Sequence, residues 1–418
     1  MSTTAENRDI PVTKVVAFCP LGVTFDDDPS GWPSSALEAL RGSGQWDAAS
    51  VADHLPVLYV ANEQHALAEL MNSFPRALLT RGVDPSELSA LGLDRQDSDQ
   101  LRAPMPGWVL SDVRVSVWNV GSALAALTYD VPSEPIDEAQ LSESVTAVKG
   151  LESAIQRLMT VLTGWSRATF GALWVTPFYI CAVGPDASDL ERHEIASLIA
   201  VNGTTVVMDE YPEAVVRFAR FSCIVTDGTS DPAVPLTLGL VAVHHVCWSA
   251  ALILDATLNR ELESVGLEDR LVPEALERQA TRVLNSYLRV RKFRLGYSSV
   301  EAHLDTAAAM LWNGVEEAWR FQRVLQIVDE RLDFVSTLHG QLQARVQDGR
   351  ARLLNEIVLI FTFFNLFSFA IAALTFAQLP TVFARLAPLS AMVVLLAANL
   401  AAYVWFRRRY NAPAPDTH

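Results

Sequence analysis

The sequence has few cysteines, and it lacks the motifs by which many enzymes are recognised. The four cysteines are far apart and form no C-x-x-C pair, which indicates reduced and mostly buried thiols: Cys19, Cys181, Cys223 and Cys247. No phosphate-binding loop, dinucleotide-binding glycine motif, nucleophile elbow or zinc-protease motif occurs. The polar residues 1–14 lack the apolar core of a signal peptide. We therefore expect a protein that is not an enzyme and keeps its thiols reduced.

Positive charge is also scarce in this chain. The 418 residues include 32 Lys and Arg against 48 Asp and Glu, which gives a formal net charge of −16. An acidic surface repels nucleic acid and anionic lipid headgroups, and it attracts cations. Nucleic acid is therefore not an expected partner. The acidity serves either the attraction of cations or ordinary solubility, and the sequence leaves both open.

Charge of either sign is absent from two long stretches near the C-terminus. Residues 357–384 and residues 386–406 contain no Asp, Glu, Lys or Arg, and Arg385 alone separates them. Each stretch can hold about 20 helical residues, the length that a hydrocarbon layer of about 30 Å requires. We predict transmembrane helices at about 355–377 and 387–406, a hairpin over residues 355–406. The alternative is a buried helix of a soluble protein.

The charges beside these stretches predict the orientation of the chain. Arg345, Arg350 and Arg352 precede the first stretch, and residues 407–409 after the second are all arginine. Because basic residues accumulate on the cytosolic side of membranes, both flanks are expected in the cytosol. The prediction is a multi-pass protein of the inner or plasma membrane with cytosolic N- and C-termini. Residues 407–418 would form a basic cytosolic tail.

The region before the spans has the pattern of a cytosolic α/β domain, predicted over residues 1–235. Alternation and β-branched runs predict strands, and apolar residues at steps of three and four predict helices. The predicted strands are 14–19, 56–61, 109–118, 122–131, 170–183, 204–208 and 221–226, and the predicted helices are 63–79, 137–165 and 187–200. Residues 85–106 are polar and are expected to be irregular.

A helical connector over residues 236–297 and a stalk helix over residues 298–354 follow. The connector begins with an apolar helix, residues 236–258, for which burial in the domain is favoured over a third membrane span. Its second helix is expected to end at Gly296. From Ser298 the pattern is helical, without proline, into the first span. A continuous helix of that length extends for about 120 Å.

The stalk carries a heptad seam of mainly apolar residues. They share one face of the helix: Phe321, Leu325, Val328, Leu332, Val335, His339, Leu342, Val346 and Leu353. Such a seam next to a membrane span indicates self-association about the helix axis. Packing against the preceding helix, residues 274–295, is the competing interpretation. At His339 a stack of imidazoles would form a proton-sensitive layer, although a solvated position is the simpler interpretation.

The layout resembles the CorA family of divalent-cation channels. The shared order is a cytosolic α/β domain, a long stalk helix that becomes the first span, a short outer loop, a second span and a basic tail. The resemblance covers the C-terminal third well and the N-terminal region in outline. It implies a homopentamer whose first span lines a central pore, with Mg²⁺ or another divalent cation as substrate or regulator.

The sequence departs from this family at the pore mouth. The family has a Gly-Met-Asn triplet after the first span, whereas residues 374–380 of this chain read LTFAQLP. The only charge in the loop is that of Arg385, and a ring of arginines would repel divalent cations. No selectivity-filter residue is therefore carried over from the family, and the metal ligands stay undefined.

A polar line on the first span supplies the pore-lining candidates. Asn355, Thr362 and Asn365 lie within roughly a quarter-turn of each other when the helix is projected at 100° per residue. In a symmetric oligomer these side chains would form rings of amide and hydroxyl oxygens about the axis. Hydrogen bonds between the helices of a closed bundle are an equally good interpretation.

Two further groups of polar residues lie outside the spans. The strongest basic cluster comprises Arg289, Arg291, Lys292 and Arg294. It binds either a phosphate-bearing signal or acidic residues of the stalk, and ion pairing is favoured. His244, His245 and Cys247 suggest a metal site, but adjacent helical residues diverge by about 100°, so buried core histidines are favoured.

Together these features predict a homo-oligomeric, CorA-like membrane channel or transporter for cations, gated by its cytosolic domain. Its partners would be further copies of the chain and the lipid bilayer. The alternative is a membrane-anchored sensor or effector. In that case the cytosolic domain binds a ligand, and the spans anchor the assembly or permeabilise the membrane.

Overall fold

The computed structural model describes most of the chain up to residue 378. The described residues are 10–25, 34–48, 77–118, 121–132, 134–165, 168–266, 273–300 and 304–378, with single positions at 390, 393, 394, 397 and 401. The predicted strand 56–61, most of the predicted helix 63–79, most of the second predicted span, Arg385 and the basic tail lie outside them. The chain divides into two compact units, Met1–Ser264 with Asn285–Val335, and Val265–Leu284 with Ser336–His418.

A mixed sheet forms the centre of the first unit. Its described strands are β1 (Val12–Phe25), β2 (Asp47–Ala48), β3 (Ala77–Val83), β4 (Val109–Trp118), β5 (Ser122–Asp130), β6 (Ala168–Ala172), β7 (Thr176–Ala182), β8 (Thr204–Met208), β9 (Tyr211–Phe218) and β10 (Ser222–Thr226). Their order is β2-β3-β4-β5-β1-β7-β10-β9-β8, and β6 pairs with β1 beside that path. Neighbouring strands are antiparallel except β7 and β10, which are parallel.

The central strands are apolar on both faces because helices cover both sides of the sheet. Along β1, Val15, Ala17 and Cys19 belong to one core, and Val16 and Phe18 belong to the other. Successive side chains of a strand point to opposite faces, so a continuous apolar run serves both cores.

The first core is covered by short helices that precede residue 200. They are α1 (Ser34–Gly42), a 3-10 helix (Pro85–Leu91), α2 (Arg95–Arg102), α3 (Glu138–Gly150), α4 (Glu152–Thr163) and α5 (Asp189–Ile199). Asp84, Asp94 and Asp137 cap three of these by accepting hydrogen bonds from backbone N–H groups. Residues 85–106, expected to be irregular, thus contain two capped helical segments, and this expectation was wrong.

The second core is covered by four longer helices. They are α6 (Ala233–Gly266), α7 (Pro273–Val300), α8 (Thr306–Trp319) and α9 (Phe321–Gln378). Within the first unit, Val243 and Val246 of α6, Phe293 of α7, Leu311 of α8 and Leu325 of α9 pack in this core. The predicted burial of the apolar connector helix is confirmed in the described structure.

Several predicted elements agree with the structure. The strands predicted at 109–118 and 122–131 are β4 and β5, an antiparallel pair. The helix predicted at 187–200 is α5, and the strand at 204–208 is β8. These elements have regular apolar spacing and clear boundaries, so their local pattern is sufficient to identify them.

Other predictions were wrong at their boundaries. Residues 77–79, expected to end a helix, begin β3. Residues 137–165, expected to be one helix, form α3 and α4 with a break at Leu151. The strand expected to end at Pro20 continues to Phe25, because the residues from Leu21 onward pair with β6.

The single helix predicted from Ser298 into the membrane was also wrong in its first part. α7 passes through Gly296 and ends at Val300. Asp305 then caps a separate helix, α8, through a 2.8 Å hydrogen bond from the Ala308 N–H. Arg320 ends α8 in the left-handed conformation, with φ of 53°. The long helix α9 therefore begins at Phe321, and its 58 residues extend for about 87 Å.

Two described helices are long and apolar enough to cross a membrane. They are Ala233–Arg260 within α6 and Phe321–Ile371 within α9. The apolar stretch of α6 is 67% buried inside the protein, whereas none of the apolar stretch of α9 is buried. α6 therefore serves as a core helix, and α9 is the candidate for contact with lipid.

Candidate functional site

The end of α9 exposes large apolar side chains around its whole circumference. Leu359 is 72% exposed, Phe364 is 62% exposed and Phe369 is 55% exposed, and successive residues of this set are about 140° apart around the helix. A helix that is apolar all round is stable when lipid or other helices cover it. This segment belongs to the second unit and matches the first predicted span.

The three pore-lining candidates lie on one face of this segment. Asn355 and Thr362 are exposed, and Asn365 is half-buried. The Thr362 hydroxyl donates a 2.7 Å hydrogen bond to the Val358 carbonyl. Because its proton is used within the helix, the hydroxyl oxygen offers acceptor lone pairs outward. This arrangement fits a cation near the axis, and it also fits a donor from a neighbouring helix.

The heptad seam is largely buried within one chain. In the first unit, Phe321, Leu325 and Val328 are fully buried. In the second unit, Leu342 is 2% exposed and Val346 is 5% exposed. That unit contains residues 273–284 of α7 and α9 from residue 336 onward, so the preceding helix is available to cover this part of the seam. The competing interpretation of the seam thus has structural support, and self-association through it stays a prediction.

His339 lies on the seam in a half-buried position. Its Nε2 is 3.5 Å from the Nε2 of Gln343, one helical turn further along. A neutral imidazole at this position has a neutral amide as its hydrogen-bonding neighbour. A proton-sensitive layer at His339 stays a prediction.

The basic cluster on α7 is divided between two environments. Arg294 forms a two-pronged ion pair with Asp329 of α9, with Nε–Oδ1 at 3.0 Å and Nη2–Oδ2 at 2.7 Å. Arg289, Arg291 and Lys292 are exposed. The favoured ion pairing therefore occurs at Arg294, within one chain, and the other three cations face solvent in this chain.

A second ion pair holds the same part of α9. Arg331 of α9 pairs with Asp255 of α6, and both side chains are half-buried. Together with the pair between Arg294 and Asp329, it fixes the beginning of α9 to both α6 and α7 in the first unit. This second pair was not predicted, because the two residues are far apart along the chain.

His244 and His245 lie in the core and hold opposite protonation patterns. The Nδ1 of His244 is 3.1 Å from the Leu240 carbonyl, which only accepts, so Nδ1 carries the proton. The indole N–H of Trp174 donates to the Nδ1 of His245 over 3.1 Å, so the His245 proton lies on Nε2. Among the described residues, neither buried Nε2 has a hydrogen-bond partner. Both rings are therefore held in the neutral form.

Burial determines the charge of these histidines. It lowers the pKa of His244 from 6.5 to about 3, and the Leu240 carbonyl only partly offsets this effect. It also lowers the pKa of His245 to about 3, and the adjacent His244 adds to the decrease. Among the residues that the structure describes, no group of three or more His, Cys, Asp or Glu side chains is arranged to hold a metal ion. The favoured interpretation as core histidines agrees with these contacts.

An aromatic cavity of about 440 Å³ adjoins His245 in the first unit. Three tryptophans line it, namely Trp174 before β7, Trp248 of α6 and Trp319 at the end of α8. The rings of Trp248 and Trp319 have centroids 6.2 Å apart in an edge-to-face arrangement. The sequence does not predict this cavity, because its lining residues come from distant segments that only the fold brings together.

Two cations stand beside the same cavity. Lys149 Nζ lies 5.8 Å from the centre of the Phe221 ring, and the Arg220 guanidinium carbon lies 5.7 Å from it. Both cations and Phe221 line the cavity. Within the described part of the chain, neither cation forms an ion pair with a carboxylate. The cavity therefore combines apolar ring faces with uncompensated positive charge.

An acidic cleft of about 520 Å³ lies elsewhere in the first unit. Glu210, Glu213, Asp227 and Asp231 line it. A hydrogen bond with Asp227 and the charge of Asp227 raise the pKa of Glu213. Asp227 also pairs with the buried Arg192, so part of its charge is already compensated. This cleft provides negative charge for cations but no defined set of metal ligands.

Comparisons of the chain with protein-family models, with curated proteins and with solved structures gave no match.

Proposed function

We propose that the protein is a homo-oligomeric, CorA-like membrane channel for cations that is gated by its cytosolic sheet domain. The observation that carries this proposal is α9. One helix begins in the core of the sheet domain at Phe321 and continues into an apolar segment of which none is buried. A continuous helix of this kind provides a mechanical connection between a ligand-binding domain and a membrane.

The polar line supplies the path for ions in this proposal. In a symmetric assembly, a pentamer by resemblance, the oxygens of Asn355, Thr362 and Asn365 would face a shared axis. Because the Gly-Met-Asn triplet is absent from this sequence, the polar line would select the ion in its place, with Mg²⁺ or another divalent cation as substrate or regulator. The cytosolic domain would change the pore width by tilting the helices after a ligand binds.

Ion flux in liposomes tests this proposal. The full-length protein is reconstituted, and fluxes of Mg²⁺, Ni²⁺, K⁺ and Cl⁻ are recorded at several pH values. We expect cation flux that changes in the variants Thr362→Val and Asn365→Leu, because each removes an oxygen from the polar line. Ile360→Val, a change about half a turn away from the polar line in the same helix, should leave the flux unchanged. Absence of flux for every ion and pH value would refute the channel.

The second candidate function is a membrane-anchored sensor or effector. The aromatic cavity specifically favours it, because a built cavity in the sheet domain provides a place for a small ligand. In this case the spans anchor the assembly, or they permeabilise the membrane only when the ligand is bound. Leakage of a large fluorescent dye that needs a cytosolic ligand would support the effector. Ion-selective flux without ligand would support the channel.

A further inference from the structure

We propose that the cavity between Trp174, Trp248 and Trp319 is a binding site for a flat aromatic anion, a small molecule that carries a carboxylate or phosphate on a planar ring system. This inference concerns the sheet domain alone. It holds whether or not the spans conduct ions.

The walls of the cavity indicate a planar aromatic body for the ligand. The indole N–H of Trp174 already donates to His245, and that of Trp319 donates a 3.0 Å hydrogen bond to the Ala219 carbonyl. These two rings therefore offer apolar faces and edges to a ligand, with their donors already used. Aromatic rings pack on such surfaces by offset stacking or edge-to-face contact. A volume of about 440 Å³ lies within the range of small-molecule sites.

His245 supplies an unpaired donor at the same site. The residue is 3% exposed and lines the cavity, and its protonated Nε2 is buried without a partner among the described residues. A buried donor without an acceptor is costly, and a ligand oxygen that reaches it would remove that cost. The donor therefore favours a ligand with an exposed acceptor oxygen, such as a carboxylate or a phosphate.

The two cations beside Phe221 determine the sign of the ligand charge. Lys149 and Arg220 approach one ring in a chain whose net charge is −16. They repel each other, and no carboxylate among the described residues pairs with either. An anionic group between them would satisfy both charges. A cationic ligand would be repelled at the mouth of the cavity.

The position of Trp319 gives the ligand a route to regulation, and this part rests on the proposed function. Trp319 is the last residue of α8, and only Arg320 separates it from Phe321, where α9 begins. The ring of Trp248 is also 5.5 Å from the ring of Phe321. A ligand that displaces either tryptophan would therefore act on the first turn of the helix that reaches the apolar segment.

Calorimetric titration of the full-length protein in detergent tests the binding site. The anionic probes are 2-naphthoate and adenosine monophosphate, which separate free aromatic acids from nucleotides. The neutral 2-naphthylmethanol and inorganic phosphate are the comparison ligands. We expect one site per chain for at least one aromatic anion, with affinity roughly ten-fold above that of the neutral ring, because two exposed cations contribute modestly. Equal affinity for the neutral ring, or binding of inorganic phosphate alone, would overturn the proposal.

Surface variants keep the test independent of folding. Lys149→Gln combined with Arg220→Gln should weaken the bound anion by roughly ten-fold. Arg41→Gln combined with Arg95→Gln removes the same charge from exposed positions of the first unit, and it should leave the affinity unchanged. Trp248→Leu should weaken both aromatic probes. Equal affinities in the cavity variants and the control, or no binding of either aromatic anion to the folded wild-type protein, would contradict the inference.

This outcome is separate from that of the flux experiment. Binding of a naphthoate-type anion by a protein that conducts no ions would support the binding site and refute the channel. Ion flux by a protein that binds neither aromatic anion would support the channel and refute the binding site.

Discussion

At the scale of single residues, the fold changes the chemistry of the two buried histidines, His244 and His245. His244 packs against Trp312 with ring centroids 4.0 Å apart, and His245 packs against Trp319 at 4.7 Å. No carboxylate accepts a hydrogen bond from either ring among the described contacts. A protonated imidazole would therefore stand in an aromatic core without a counter-charge.

The stability of the sheet domain should consequently decrease as the pH falls below about 6.5. In the folded chain the pKa of each histidine is about 3, whereas an unfolded histidine titrates near 6.5. Between these values the unfolded state binds more protons, so acid favours unfolding. Each histidine contributes a slope of about 1.4 kcal/mol per pH unit. Denaturant unfolding followed by near-ultraviolet circular dichroism at pH 7, 6 and 5 measures this slope.

A matched pair of variants assigns the slope to the core. His244→Phe keeps a ring against Trp312 and should remove about 1.4 kcal/mol per pH unit of the slope. His193 makes the same type of contact, from Nδ1 to the backbone carbonyl four residues earlier, but lies on the outer helix α5. His193→Phe serves as the control and should retain the slope. An unchanged slope in His244→Phe would refute the assignment.

At the scale of elements, two ion pairs hold the first part of α9 in the sheet domain. The pair between Arg331 and Asp255 is the more buried of the two, with 33% and 20% of the side chains exposed. The pair between Arg294 and Asp329 is more accessible. Since exposed pairs contribute little, the Arg331 pair should carry more of the stabilisation.

Loss of Arg331 should therefore loosen α9 more than loss of a nearby surface arginine. Arg331→Gln leaves the Asp255 carboxylate without its cation and should lower the free energy of unfolding by about 1–2 kcal/mol. Arg323→Gln, at an exposed position two turns earlier on α9, should change it by less than about 0.5 kcal/mol. Chemical denaturation measures both values. In the double variant, Asp255→Asn should recover part of the free energy of unfolding that Arg331→Gln loses. If it recovers none, the two residues are not energetically coupled.

The elements that sequence patterns identify best are those with long, regular spacing. The alternation of β4 and β5 and the seam of α9 follow from residues within one element. The break between α7 and α9 does not follow from such a pattern. It depends on α8, which two local features define within a sequence of helical composition, the Asp305 cap and the left-handed Arg320. Ion pairing of the basic cluster with the stalk was predicted, and Arg294 forms such a pair. That its partner, Asp329, lies in the same chain depends on tertiary packing.

At the scale of the whole molecule, the sequence indicates the α/β class and the long apolar segment of α9 but not the aromatic cavity. Trp174, Trp248 and Trp319 come from a loop, from α6 and from α8, and each is unremarkable in its own segment. Their proximity results from packing of the helices on one face of the sheet. Membrane segments are different, because a run without charge is visible in the sequence itself.

The burial of the four native cysteines allows the proposed assembly to be tested by cross-linking through an introduced cysteine. All four are buried and free, and burial raises the pKa of each thiol. A buried thiol with a raised pKa reacts slowly. A cysteine introduced on the exposed apolar segment of α9 is therefore the thiol that reacts in the membrane.

Disulfide cross-linking in native membranes tests the central claim, that α9 turns its polar line toward a shared axis of identical chains. The claim predicts oxidised dimers from Thr362→Cys and Asn365→Cys. Ile360→Cys and Phe367→Cys, about half a turn away on the same exposed helix, should give none. Equal dimer yields from both faces, or dimers from the Ile360 face alone, would contradict the claim.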